Sequence, residues 1–154
     1  MVTLLVTRWP RSGSGRVEII RENFKTKVCS QMPEYPLEIS TAAGSNWKDG
    51  KFSICGGAKY PNEYSQCYLM ENGKWKLSGN LQTARRHHGA SNIGNSIWIT
   101  GGFNGRKLAS TEIIHSDGKI TPGPDLPEAR WYHCQLSYEQ STFIIGMCIS
   151  LPIL

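Results

Sequence analysis

No stretch of this sequence approaches the 18 or more consecutive apolar residues that a membrane-spanning helix needs, so no helical span is expected. Helical periodicity is also missing, because apolar residues nowhere keep the three- and four-residue spacing of an amphipathic helix. The five cysteines (Cys29, Cys55, Cys67, Cys134, Cys148) include no Cys-x-x-Cys pair and have no histidine at zinc spacing beside them, and neither a metal nor a cofactor is expected. Gly-x-Ser-x-Gly, a phosphate loop and His-Glu-x-x-His are absent, and the sequence reads as a non-enzyme. Met1 to Thr7 is apolar, yet Arg8-Trp9-Pro10-Arg11 follows it where a signal peptide would carry a small-residue cleavage site.

What charge there is lies at one end. The 154 residues carry +5, but residues 1–27 hold six basic side chains (Arg8, Arg11, Arg16, Arg21, Lys25, Lys27) against Glu18 and Glu22, which leaves +1 for the rest. Residues 1–16 therefore read as a basic flexible tail. A tail of this kind offers nucleic-acid binding as the alternative function, although Trp9 is its one aromatic and no stacking platform accompanies it.

Glycine is plentiful, and its placement has a period. Gly56-Gly57 recurs 45 residues later as Gly101-Gly102, and the same offset relates Gly44 to Gly89, Ser65 to Ser110, Gly73-Lys74 to Gly118-Lys119, Leu81 to Leu126, Ala84-Arg85 to Ala129-Arg130 and His88 to His133, without a gap. A second step takes Gly101 to Gly146. Periods of this length mark repeat architectures. Within one period, short runs of β-formers such as Ser96 to Thr100 and Ser110 to His115 alternate with turns such as Ser116-Asp117-Gly118, and Pro122, Pro124 and Pro127 mark the link to the next unit. Four short strands per unit are expected.

A strand ending in Gly-Gly, a variable loop, a Ser-x-Glu-hydrophobic strand, an aromatic such as Trp75 near the fourth strand and a closing Leu-x-x-Ala-Arg resemble the kelch repeat family, whose units each form one four-stranded blade of a β-propeller. The resemblance implies an all-β incomplete β-propeller, an open arc of antiparallel kelch blades over residues 17–147. The expected division is a partial blade 17–38, blades 39–84 and 85–129, a partial blade 130–147 and an apolar C-terminal remnant 148–154. It also implies structural roles for Gly56, Gly57, Gly101, Gly102 and Trp75, and for Arg85 and Arg130 as arginines that bind backbone carbonyls. Unpaired blade edges would favour self-association.

Strand alternation puts the loops between strands two and three, Ala58–Tyr64 and Phe103–Ala109, at the same end as the links between units, Arg86-His87 and Trp131-Tyr132. In the kelch family this face commonly grips partner proteins. The candidate partner-binding residues are therefore Arg86, His87, Trp131 and Tyr132, with Tyr60, Asn62, Tyr64, Asn104, Arg106 and Lys107 beside them; a polar rim, or a Trp131 buried in packing, is the alternative. The BTB domain that kelch ligase adaptors carry before their repeats is absent from this sequence. His87-His88 does not read as a metal or base pair, because adjacent strand residues face opposite ways. Cys55 and Cys67 flank one loop symmetrically; they either bridge across the hairpin or stand as two buried thiols.

Overall fold

The computed structural model describes residues 3–8, 16–21, 29–31, 33–47 and 49–146, and every regular element among them is a strand. β1 (Thr3–Arg8), β2 (Arg16–Arg21) and β3 (Cys29–Gln31) form a three-stranded antiparallel sheet in that order. β4 (Ala43–Asn46) and β5 (Phe52–Cys55) open a second sheet. A small hairpin of β6 (Ala58–Lys59) and β7 (Asn62–Glu63) follows, and β8 (Gln66–Glu71) with β9 (Lys74–Asn80) completes the order β4-β5-β8-β9. The third sheet repeats the plan as β10 (Gly89–Ile93), β11 (Ser96–Thr100), β12 (Thr111–His115) and β13 (Ile120–Gly123). β14 (Cys134–Tyr138) and β15 (Ser141–Ile145) form a two-stranded sheet. The fold is all-β with open antiparallel sheets, and among the described residues no helix is long and apolar enough to cross a membrane.

The expected flexible tail over residues 1–16 needs correction. Thr3–Arg8 is a strand, paired residue for residue with Arg16–Arg21 from Thr3 opposite Arg21 to Arg8 opposite Arg16. Its β-branched and aliphatic run Thr-Leu-Leu-Val-Thr has strand composition, and in pairing it satisfies backbone groups that a tail would leave to water. The remnant 148–154 lies outside the described residues.

The two four-stranded sheets are not related by an ungapped repeat. Cys55 stands opposite Cys67, and its counterpart Thr100 stands opposite Thr111, so the third strands are offset by 44 residues rather than 45. The register recovers at the next turn, where Asn72-Gly73 is a two-residue connection and Ser116-Asp117-Gly118 a three-residue one. Two compensating one-residue changes thus pass unseen in the sequence. Pro122 is a second correction: it lies within β13, opposite Glu112, and the outermost strand tolerates it because its missing N–H faces no ladder.

The sheets meet through their first strands, β4 against β10 and β10 against β14. The first joint is apolar: Trp47, Cys55, Cys67 and Leu81 pack on Ile97, Ile99 and Ile114. Burying one such isoleucine contributes about 1.5–3 kcal/mol. The second joint is polar. Gln135 Nε2 donates to Ser91 Oγ at 2.8 Å and to the Trp98 carbonyl at 3.1 Å, while Thr100 Oγ1 donates to Gln135 Oε1 at 2.5 Å. The Thr100 hydroxyl has only one proton, so His133 Nε2, 3.0 Å away, donates to it, which fixes the protonated nitrogen of His133.

Candidate functional site

Each unit turns into its first strand through a residue in the left-handed region: Thr41 at φ 58°, His87 at 53° and Tyr132 at 54°. None is glycine, so each carries backbone strain that its surroundings must hold. A relay of backbone bonds does so, the His87 N–H donating to the Thr41 carbonyl and the Tyr132 N–H to the His87 carbonyl, both at 3.0 Å. One residue earlier the chain pairs with the loop after its second strand. Ser40 and Ala58 exchange two backbone bonds, as do Arg86 and Phe103.

The glycine pairs make this approach possible. Gly56 and Gly101 have φ of 62° and 57°, and a Cβ on either would stand 2.6 Å from the carbonyl of Arg85 or Arg130. A Cβ on Gly57 or Gly102, at φ of 95° and 102°, would stand 2.8 Å from the carbonyl of Ser40 or Arg86.

Arg85 is fully buried. Its Nη1 donates to the Gly101 and Ser110 carbonyls at 2.8 and 2.9 Å, its Nε to the Thr83 carbonyl, and its Nη2 to Glu112 at 2.8 Å. Glu112 also accepts the backbone N–H groups of Gln82 and Thr83. Burial lowers the Arg85 pKa and Glu112 opposes that fall. At the matching places in the preceding sheet stand Ile39 and Tyr68, packed with Tyr35, Ile54 and Trp75. An apolar cluster there replaces a buried ion pair, an exchange that protein cores tolerate. Trp75 packs edge-on to Tyr35 and Phe52 and donates Nε1 to the Pro33 carbonyl.

Arg130 departs from the expectation placed on it. Its nearest carboxylate is the exposed Glu128 at 3.7 Å, and its buried Nε has no hydrogen-bond partner. The groups corresponding to Ser110 and Glu112 come with a third strand, and among the described residues the sheet that follows Arg130 has two strands.

Four of the sequence-predicted contact residues come together. The His87 and Tyr132 rings lie 3.7 Å apart between centroids, His87 and Trp131 5.7 Å, and Trp131 stacks on Phe103 at 4.8 Å. The Arg86 guanidinium lies 5.0 Å over the other side of this group, above the Phe103 ring, and 3.5 Å from Glu63. Burial first, and Arg86 second, lower the His87 pKa, so the ring is neutral at pH 7 and acts as an aromatic with one donor and one acceptor. Tyr132 is exposed and Trp131 half-buried, so the alternative of a wholly buried Trp131 does not apply. Tyr60, 86% exposed, tips the β6–β7 hairpin, with Asn62 exposed and Tyr64 half-buried behind it. Asn104 and Arg106 are exposed on the neighbouring loop, where Lys107 pairs with Phe103 through the backbone.

Thr41, Glu63, Phe103 and Glu112 escaped the sequence reading as site residues. The position of Phe103, directly after Gly101-Gly102, and the Ser-x-Glu strand were signals for two of them; Thr41 was hidden because it precedes His87 by 46 residues, one more than the period.

Cys55 and Cys67 are bonded, directly opposite one another in β5 and β8, and buried at the apolar joint. Their place is that of Thr100 and Thr111 in the next sheet. The disulfide therefore removes the hydroxyl that His88 would otherwise meet. His88 has no good hydrogen bond on either ring nitrogen, and burial, with Arg85 nearby, depresses its pKa to about 3 even though the Cys55 backbone opposes the shift. Cys134 is exposed and free.

No protein-family model matches the sequence. The chain is 27% identical over 135 residues to spermatocyte protein spe-26 of Caenorhabditis elegans, a match over 81% of this chain and 23% of that protein. Among solved structures it superposes on that of YjhT with a TM-score of 0.72 at 20% identity, over 85% of this chain and 44% of the other. The fold is shared with YjhT. The chain spans less than half the length of either protein.

Proposed function

We propose that this chain is part of a kelch-type β-propeller and serves as a non-enzymatic module that binds protein partners through the loop face bearing His87, Trp131, Tyr132 and Arg86. The observation that carries this reading is the cluster itself. Four aromatic rings and a guanidinium are held at one end of the sheets by strained, left-handed links, with Tyr60, Asn62, Asn104 and Arg106 around them. Aromatic and arginine side chains supply most of the binding energy at protein interfaces, and a rigid backbone limits the entropy lost on docking. The propeller reading draws support from two consecutive four-stranded antiparallel sheets of one plan, joined through their first strands. No nucleic acid is invoked, since the loop face rather than the basic N-terminal stretch concentrates aromatic groups.

The test compares the full chain with a variant carrying Arg86→Ala, His87→Ala, Trp131→Ala and Tyr132→Ala, matched for circular dichroism. A specific set of captured proteins is expected to be lost from the variant. Capture of the same set at the same level would overturn the reading.

A further inference from the structure

Neither ring nitrogen of His88 has a good hydrogen bond, although the ring is buried between the two complete sheets. A polar group shut away from water without a partner is destabilising. Arg85, its charged neighbour, cannot serve it, because all five donors of that guanidinium are engaged by Thr83, Gly101, Ser110 and Glu112. The place of the ring is fixed by the strand beside it. A Cβ on Gly56 would stand 2.8 Å from His88 Cε1 and 3.4 Å from Nε2, and Gly101 meets His133 in the same way, with 3.0 Å to Cε1.

The next sheet shows the contact that such a ring makes. There His133 Nε2 lies 3.0 Å from the hydroxyl of Thr100, the residue just before Gly101. Just before Gly56 stands Cys55, opposite Cys67 as Thr100 is opposite Thr111. The side chain that answers His88 is thus a sulfur, and while it is bonded to Cys67 it has no proton to donate and accepts only weakly. Reduction changes this, because a thiol at Cys55 carries one proton. The rival acceptor is gone as well: Gln135, which takes the Thr100 proton, has Ala90 as its counterpart, opposite Ile99 as Gln135 is opposite Ile144.

We propose that Cys55 and Cys67 form a reversible thiol–disulfide site whose reduced state is held by a hydrogen bond from the Cys55 thiol to His88 Nε2. In the exchange, one thiolate of a dithiol reductant attacks a sulfur of the bridge, and its second thiol resolves the mixed disulfide. The reductant leaves as its own disulfide; its two electrons break the bridge and two protons end on Cys55 and Cys67. Both sulfurs are closed off from water beside Trp47, Leu81 and Ile97, so exchange waits for that joint to open. Opening sets the rate, while the contact with His88 shifts the equilibrium. The sheet persists in both states, as the following sheet keeps the same plan with two threonines in these places. No partner on the loop face is needed for any of this.

The full chain, equilibrated against graded ratios of reduced to oxidised dithiothreitol, then alkylated in denaturant and mass-mapped, gives the equilibrium constant of the bridge. His88→Phe and His88→Leu should each shift that constant about tenfold toward the disulfide, because each removes one hydrogen bond from the reduced state alone. Circular dichroism of the parent should keep its strand spectrum on reduction. A second measurement leaves His88 in place. In nitrogen-labelled protein, the His88 Nε2 resonance should move on reduction as that of an acceptor gaining a bond, while the His133 resonance, whose partner is Thr100, should stay where it is. Equal constants in the parent and both variants, a His88 resonance indifferent to reduction, or loss of the strand spectrum on reduction would overturn the proposal.

Discussion

Arg85 shows how much one side chain can organise. Its five donors reach three carbonyls and Glu112 with no access to water, and truncation would strand a carboxylate that is itself 2% exposed. Arg85→Ala should destabilise the fold by about 3–5 kcal/mol, read as a lower urea midpoint with unchanged slope. Thr41 offers the opposite sign. It is an exposed β-branched residue at φ 58°, a conformation that asparagine adopts more readily, and its side chain holds only a bond to the neighbouring Ser40 carbonyl. Thr41→Asn is expected to raise stability by about 0.5 kcal/mol in the same assay.

At the scale of elements, the cross-strand disulfide replaces a threonine pair that the next sheet keeps. Cys55 and Cys67 are 12 residues apart, so the bridge closes a short loop and should contribute about 3 kcal/mol. Cys55→Thr with Cys67→Thr should lose that amount by denaturant titration while retaining the sheet, and reductant should act on the parent but not on this variant. This element also shows what the sequence could reveal. The repeated Gly-Gly and the strand composition made the two full sheets visible as expectations, and the symmetric cysteines left a bridge as one of two open readings, since each follows from local backbone and pairing rules. The one-residue slips did not show, because two changes of opposite sign cancel over a period. Nor did β1: a short apolar strand leading into a basic stretch has no signal of its own until a partner strand is found for it. Phe103 and Glu63 joined the candidate site only through the loop geometry that folds them onto Trp131 and Arg86.

For the whole molecule, the buried histidines set a pH dependence. His88 is held neutral, its pKa lowered by burial from its ordinary 6.5 to about 3, and His133 is displaced the same way by burial. The unfolded chain binds protons below about pH 6.5 that the folded chain refuses. Stability is therefore complete above that pH and falls as pH drops toward 3, by up to about 1.4 kcal/mol per pH unit for each such histidine. His88→Phe should flatten this slope between pH 6 and 4 in chemical denaturation at stepped pH, with about one fewer proton taken up on unfolding. An unchanged slope would show that other groups carry the acid sensitivity.

The two joints between sheets also differ in how they answer temperature. Around Ile97 and Ile99 the contact is hydrocarbon, and its strength fades on cooling as the heat capacity of exposed apolar surface dictates. Around Gln135 and Thr100 the contact is a set of hydrogen bonds, whose exposure changes heat capacity with the opposite sign. Chilling should thus loosen the joint that warmth holds most firmly, so that in the cold the chain parts first between its two complete sheets.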